Sequence, residues 1–286
     1  LQNFALQHFL RRQGYTTFWI RTRPNPPQHS AARQAWLQSL SAFRNALRTL
    51  ATPFLGKANS AKLAEFNSRN PRHFGEFMNR HVPTTSREFS VAELVEDPPV
   101  VDALVVGSDQ VWRDVGRLNF LDFGPQKLKR VAYAVSAPWP ALQEPWIEKA
   151  AVYTEKFDAI SVREVEGISV CNKLGRDDVT HVVDPVLLLE ADDYLEIVKV
   201  DGEDVSFPSP FVFGYFLNLR NIEDVPWEAL AGFAAGCGAH FRVVPLQGAE
   251  LVIPEEYIYA PSPSSWINAV HRADSVVTNS YHGALF

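Results

Sequence analysis

Short apolar runs separated by helix-forming stretches constrain this chain most. The runs at residues 101–106, 129–135, 159–162, 179–183, 211–217, 241–244 and 275–278 each suit a strand. Stretches at 141–156, 164–174, 191–198, 226–236 and 264–272 alternate with them and carry helical spacing. Such alternation predicts parallel sheets covered by helices, because a parallel connection must cross over the sheet face. The run 103–106 has no polar alternation, the pattern of a strand buried on both faces. Upstream, residues 1–13 form one helical face closed by Gly14, residues 16–20 suit a strand, and 21–30 carry three prolines and suit a loop. Residues 31–50 hold good helix formers throughout. The basic, aromatic stretch from Arg69 to His81 suits an amphipathic surface helix.

Size and composition support two such units. At roughly 100–200 residues per domain, 286 residues accommodate two domains. The prolines at 138, 140 and 145 place the expected boundary so that 1–140 is an N-terminal α/β domain and 141–286 a C-terminal one, with a cleft between them as the expected binding place. Apolar residues make up 46%, enough for a sizeable core. Asp and Glu number 33 against 27 Lys and Arg, a net charge of −6, which argues against nucleic acid as partner. No run approaches the roughly 18 apolar residues of a membrane span. Two cysteines, Cys171 and Cys237, are too few and too far apart for a disulfide framework or a zinc site, and fit a cytosolic protein. The chain begins at Leu1, has Met78 as its only methionine, and ends where a helix starts, so it reads as a fragment lacking material at both ends.

Three strand ends carry polar groups that a core would reject. Ligands in open parallel sheets sit beyond the carboxyl ends of strands, so these turns are the candidate sites. After 101–106 come Gly107, Ser108, Asp109, Gln110, Val111 and Trp112. Asp109 suits a base or a hydroxyl anchor and Trp112 a stacking face for a sugar ring, with Ser108 and Gln110 as polar neighbours in the same turn. The alternative is an Asx-capped turn with a packed tryptophan. Past 159–162, Arg163 is placed to grip a carboxylate or phosphate with its planar fork, or else to pair with Glu164 at a helix start. After 275–278, Asn279, Ser280, His282 and Gly283 lead into a helix start, where backbone N–H groups favour anions and a histidine can transfer a proton. Asp184-Pro185 reads as a turn cap. Cys171 has no neighbouring base and little claim as a nucleophile. Phosphate-loop, dinucleotide and HExxH patterns are absent from the sequence.

Taken in order, these segments resemble the polysaccharide pyruvyl transferase family. The likeness runs through Leu1-Gln2-Asn3-Phe4-Ala5-Leu6, Gly107-Ser108-Asp109-Gln110-Val111-Trp112, Phe120-Leu121-Asp122-Phe123 and Lys129-Arg130-Val131-Ala132-Tyr133-Ala134. It continues through Ser161-Val162-Arg163-Glu164, Val183-Asp184-Pro185-Val186-Leu187-Leu188 and Val277-Thr278-Asn279-Ser280-Tyr281-His282-Gly283. The resemblance implies a GT-B-like fold of two Rossmann-like domains, the first facing the acceptor and the second the donor. It implies transfer of a pyruvyl group from phosphoenolpyruvate onto sugar hydroxyls as a ketal, with no cofactor or metal. The implied partners are phosphoenolpyruvate and a sugar or lipid-linked oligosaccharide, at a cytoplasmic site peripheral to the inner membrane face. Arg163 matches a family arginine expected to bind the donor, and His282 the histidine of the family's His-Gly turn. Ser280 stands where many members have arginine, and Ser136-Ala137-Pro138 where the family has Ser-Phe-Gly. Two other readings share this architecture: a glycosyltransferase with a nucleotide-sugar donor, and a non-catalytic member of a polysaccharide assembly system. Acceptor identity and oligomeric state leave no mark on the sequence.

Overall fold

The computed structural model describes residues 1–23, 55–202, 210–219, 221–246, 249 and 252–286. The helix expected over 31–50 and most of the proline loop lie outside the described residues. The chain divides into two units, one formed by Leu1–Gln28 with Val82–Leu189 and the other by His29–His81 with Glu190–Phe286.

In the first unit, β1 (Ala103–Val106), β2 (Lys129–Val135), β3 (Ala159–Val162) and β4 (Thr180–His181) form one parallel sheet in chain order. The helices Trp146–Thr154 and Glu166–Lys173 make the β2–β3 and β3–β4 crossovers. The division expected at 140/141 is therefore corrected. It would separate β2 from β3, whose backbones are hydrogen-bonded to each other. Of the prolines that suggested it, Pro138 precedes and Pro140 lies within a short 3-10 turn, Trp139–Ala141, whose Trp139 lies in this unit's core. A second correction concerns β1. It ends the row of paired strands, and only Leu104 is buried, with Val105 41% exposed, so its unbroken apolar run is not the mark of a central strand.

A bulge in β2 shifts its register against β3 between Ala132 and Val135. Ser161 repairs the interrupted ladder: its hydroxyl accepts from the Ala134 N–H at 3.0 Å and donates to the Ala132 carbonyl at 3.1 Å. The expected strand over 16–20 is instead one isolated bridge, Trp19 to Thr84, with a second just beyond it, Thr22 to Phe89. Gly14 does close the first helix, Gln2–Arg12, in the left-handed conformation at φ +91°.

The second unit holds β5 (Phe211–Tyr215), β6 (His240–Val244) and β7 (Ser275–Thr278), also parallel, in the order β6-β5-β7. From β5 the chain moves to one side through helix Trp227–Gly236, then crosses back to the other through helix Pro263–Arg272. That reversal makes the carboxyl ends of β5 and β7 a switch point, the usual ligand position in open α/β sheets. The basic stretch forms the surface helix Phe74–His81, with Phe77 buried and Phe74 exposed. Its charges serve the unit itself. Asp201 accepts from Arg80 Nη1 at 2.6 Å, pairs with His81 Nε2 at 2.8 Å and takes the Ser264 hydroxyl. Burial raises the Asp201 pKa, but these hydrogen bonds outweigh it and leave the net shift downward.

The two thiols differ sharply. Cys171 is fully buried, and burial pushes its pKa up to about 12, whereas Cys237 is exposed. A disulfide-exchange reagent at pH 8 is expected to label one thiol of the native protein and both after denaturation. Rapid labelling of both in the native state would contradict this packing.

Candidate functional site

Parallel strands present their carboxyl ends at one edge, so residues just past each strand become neighbours. In the first unit this brings together Ser108 and Asp109 after β1, Ser136 after β2, Arg163 and Glu164 after β3, and Asp184 after β4. Gln2, on the first helix, reaches the same cluster: its Nε2 donates to Asp184 Oδ2 at 2.8 Å and to Ser108 Oγ at 3.2 Å.

Arg163 is the hub. Its Nε donates to Glu164 Oε1 at 2.8 Å. Its Nη1 donates to Asp184 Oδ2 at 2.7 Å and Ser108 Oγ at 3.3 Å, and its Nη2 to Asp109 Oδ1 at 2.6 Å and Ser136 Oγ at 3.2 Å. A guanidinium has five N–H groups, and the chain's own acceptors take all five. Burial disfavours the charge, yet the bonds to Glu164, Asp109 and Asp184 outweigh that cost and hold the Arg163 pKa above its ordinary value. With its side chain only 6% exposed, Arg163 in this arrangement clamps three carboxylates of its own chain.

One cation against three carboxylates leaves the cluster formally at −2. Among the three, Asp109 stands out, with its side chain 47% exposed against 0% for Asp184. Glu164 is further fixed by Ser136 Oγ at 2.7 Å and Trp139 Nε1 at 2.8 Å. Gly107 lets the first loop pass close to β2, since a Cβ there would lie 2.1 Å from the Tyr133 carbonyl oxygen. Gln110 is exposed and accepts from Arg113 Nη1 at 3.2 Å. Trp112 is corrected outright: it is 0% exposed, stacks on Phe120 at 4.8 Å, and donates its indole N–H to Asn119. It belongs to the core and offers no face to a sugar.

The turn after β7 is built largely by its own packing. The Asn279 side chain clasps Leu217, accepting from its N–H at 2.7 Å and donating to its carbonyl at 3.1 Å. Ser280 is buried and caps the short helix Tyr281–Leu285 by accepting from Gly283 N–H. Gly283 is required by close approach: a Cβ there would lie 2.6 Å from Thr278 Oγ1 and 2.7 Å from Tyr215 Cδ1. These three residues are scaffold for the turn. His282 is half-buried beside Tyr281, ring centroids 5.2 Å apart, at the β5/β7 switch point. It is the turn's remaining candidate for chemistry.

Sequence reasoning missed Asp184 and Gln2 as members of the cluster and saw Glu164 only as a pairing partner. The available signal was positional, since Asp184 lies three residues past its strand, as Asp109 does. Among the described residues, no group of three His, Cys, Asp or Glu side chains is placed to hold a metal, and no helix is long and apolar enough to cross a membrane.

Parallel sheets whose strands are joined by crossover helices define an α/β protein of the open-sheet class. The sequence model of the polysaccharide pyruvyl transferase family matches residues 1–286, and the chain belongs to that family. No curated protein and no solved structure matches it.

Proposed function

We propose that this protein transfers a pyruvyl group from phosphoenolpyruvate onto sugar hydroxyls, forming a ketal in the biosynthesis of a cell-surface polysaccharide. The family match over the whole chain carries this reading. A GT-B-like fold of two Rossmann-like domains is part of it, supported by two all-parallel sheets joined through helices.

The chemistry divides into a proton delivered and protons removed. Protonation of the enol carbon creates an oxocarbenium-like centre. A sugar hydroxyl attacks it while losing its proton to a base; the bond to phosphate then breaks, phosphate leaving with a proton, and a second hydroxyl, losing its own proton, closes the ketal. In this reading Asp109 is the base: it is the exposed carboxylate, and the Arg163 fork fixes its orientation. Arg163 acts as a positioning residue, while Ser108 and Gln110 flank the acceptor. His282 carries the donor side, as phosphate contact or acid.

Thermal unfolding tests the donor. A ligand present at a hundred times its dissociation constant stabilises the folded state by about 2.7 kcal/mol. Phosphoenolpyruvate is expected to raise the melting temperature, and addition of an acceptor sugar to release inorganic phosphate. A response to a nucleotide sugar with none to phosphoenolpyruvate would replace this reading with the glycosyltransferase one.

A further inference from the structure

We propose that Asp184 is a positioning residue, which presents the Asp109 carboxylate to the acceptor through the Arg163 guanidinium. The inference rests on the pyruvyl-transfer reading for its functional consequence and on geometry for the linkage itself.

Asp184 is the most enclosed member of the cluster, with its side chain 0% exposed. Its Oδ1 accepts from Val186 N–H at 3.0 Å, capping the 3-10 turn Pro185–Leu188. Its Oδ2 accepts from Gln2 Nε2 at 2.8 Å, Ser108 Oγ at 3.2 Å and Arg163 Nη1 at 2.7 Å. A carboxylate held on both oxygens cannot rotate without breaking several of these bonds. The guanidinium is planar and rigid, so fixing Nη1 also fixes the direction of Nη2. Nη2 is the atom that holds Asp109. Ser108, next to Asp109 in the chain, is tied to the same Asp184 oxygen, so the β1 loop is gripped at two consecutive residues. Asp184 therefore sets the aim of a carboxylate that it does not touch.

Turn capping alone predicts a different outcome from positioning, and a double-mutant cycle separates them. Asp184→Asn keeps a carbonyl oxygen for the Val186 N–H while removing the negative charge that faces Arg163 Nη1. Positioning predicts a fall in kcat between about tenfold and a hundredfold, with the acceptor KM within about threefold. In an Asp109→Asn background the same substitution is expected to cost less than about threefold more, because its target is already gone. Losses that multiply across the two backgrounds would overturn the inference.

A second readout is independent of activity. Nitrogen-15 NMR of the Arg163 side chain is expected to show hindered guanidinium rotation in the wild-type protein and its loss in Asp184→Asn. Unchanged spectra would overturn the linkage even if the wild-type protein transfers no pyruvyl group, a result that would separately defeat the functional reading. Should Asp184→Asn fail to fold, Asp184→Glu, which keeps the charge but displaces the carboxylate from Arg163 Nη1, is judged by the same two patterns.

Discussion

Arg163→Ala is expected to destabilise the protein by about 3–5 kcal/mol, the range seen when one partner of a buried ion pair is removed. The reason is what remains. Asp109, Glu164 and Asp184 would face one another without the cation that now binds all three, and Asp184 is wholly enclosed. Urea denaturation of wild-type and variant proteins near neutral pH measures the loss. Arg163→Lys is expected to recover only part of the loss, since one ammonium cannot span acceptors placed around a planar fork. A variant as stable as wild type at pH 7 would show that the cluster does not hold these loops.

Asp109→Asn is expected to lower kcat by about 10²–10³-fold, within the usual contribution of a general base. Stability is expected to change by less than about 1 kcal/mol, because Asp109 is half exposed and its pairing is partly screened by solvent. The variant also separates two uses of the guanidinium. Where Arg163 serves only to position Asp109, the affinity for phosphoenolpyruvate stays constant. Where the donor's carboxylate replaces Asp109 on Nη2, removing the competing charge tightens donor binding. Titration calorimetry with phosphoenolpyruvate, read beside the steady-state rates, decides between them, and an unaltered kcat would remove Asp109 as the base.

Local structure was largely legible from the amino-acid order. Strands at 129–135, 159–162 and 275–278 fall where the apolar runs place them, and helix Trp227–Gly236 begins one residue past the expected start. Apolar run length and helical spacing are local quantities, so a local reading recovers them. The segment at 16–20 failed because β-branched and aromatic residues also suit isolated bridges, and only a neighbouring strand turns propensity into a sheet. The boundary at 140/141 failed for a related reason. Prolines mark a turn, but whether that turn joins two domains or two strands of one sheet depends on pairing.

The candidate site shows the same division more sharply. Residue types after each strand, their order along the chain and the family they indicate were all present in the linear sequence. Which partners those residues choose was not. Arg163 meets Asp109 across 54 positions and Asp184 across 21, while Gln2 meets Asp184 across 182. Trp112 turns into the core because Phe120 and Trp139 wait there, not because of its immediate neighbours. Side-chain chemistry is written residue by residue, and it sufficed to define strands, turns and family. Burial and charge pairing arise only when parallel strands align their carboxyl ends, and that alignment committed Arg163 to its own chain's carboxylates and left Asp109 facing solvent.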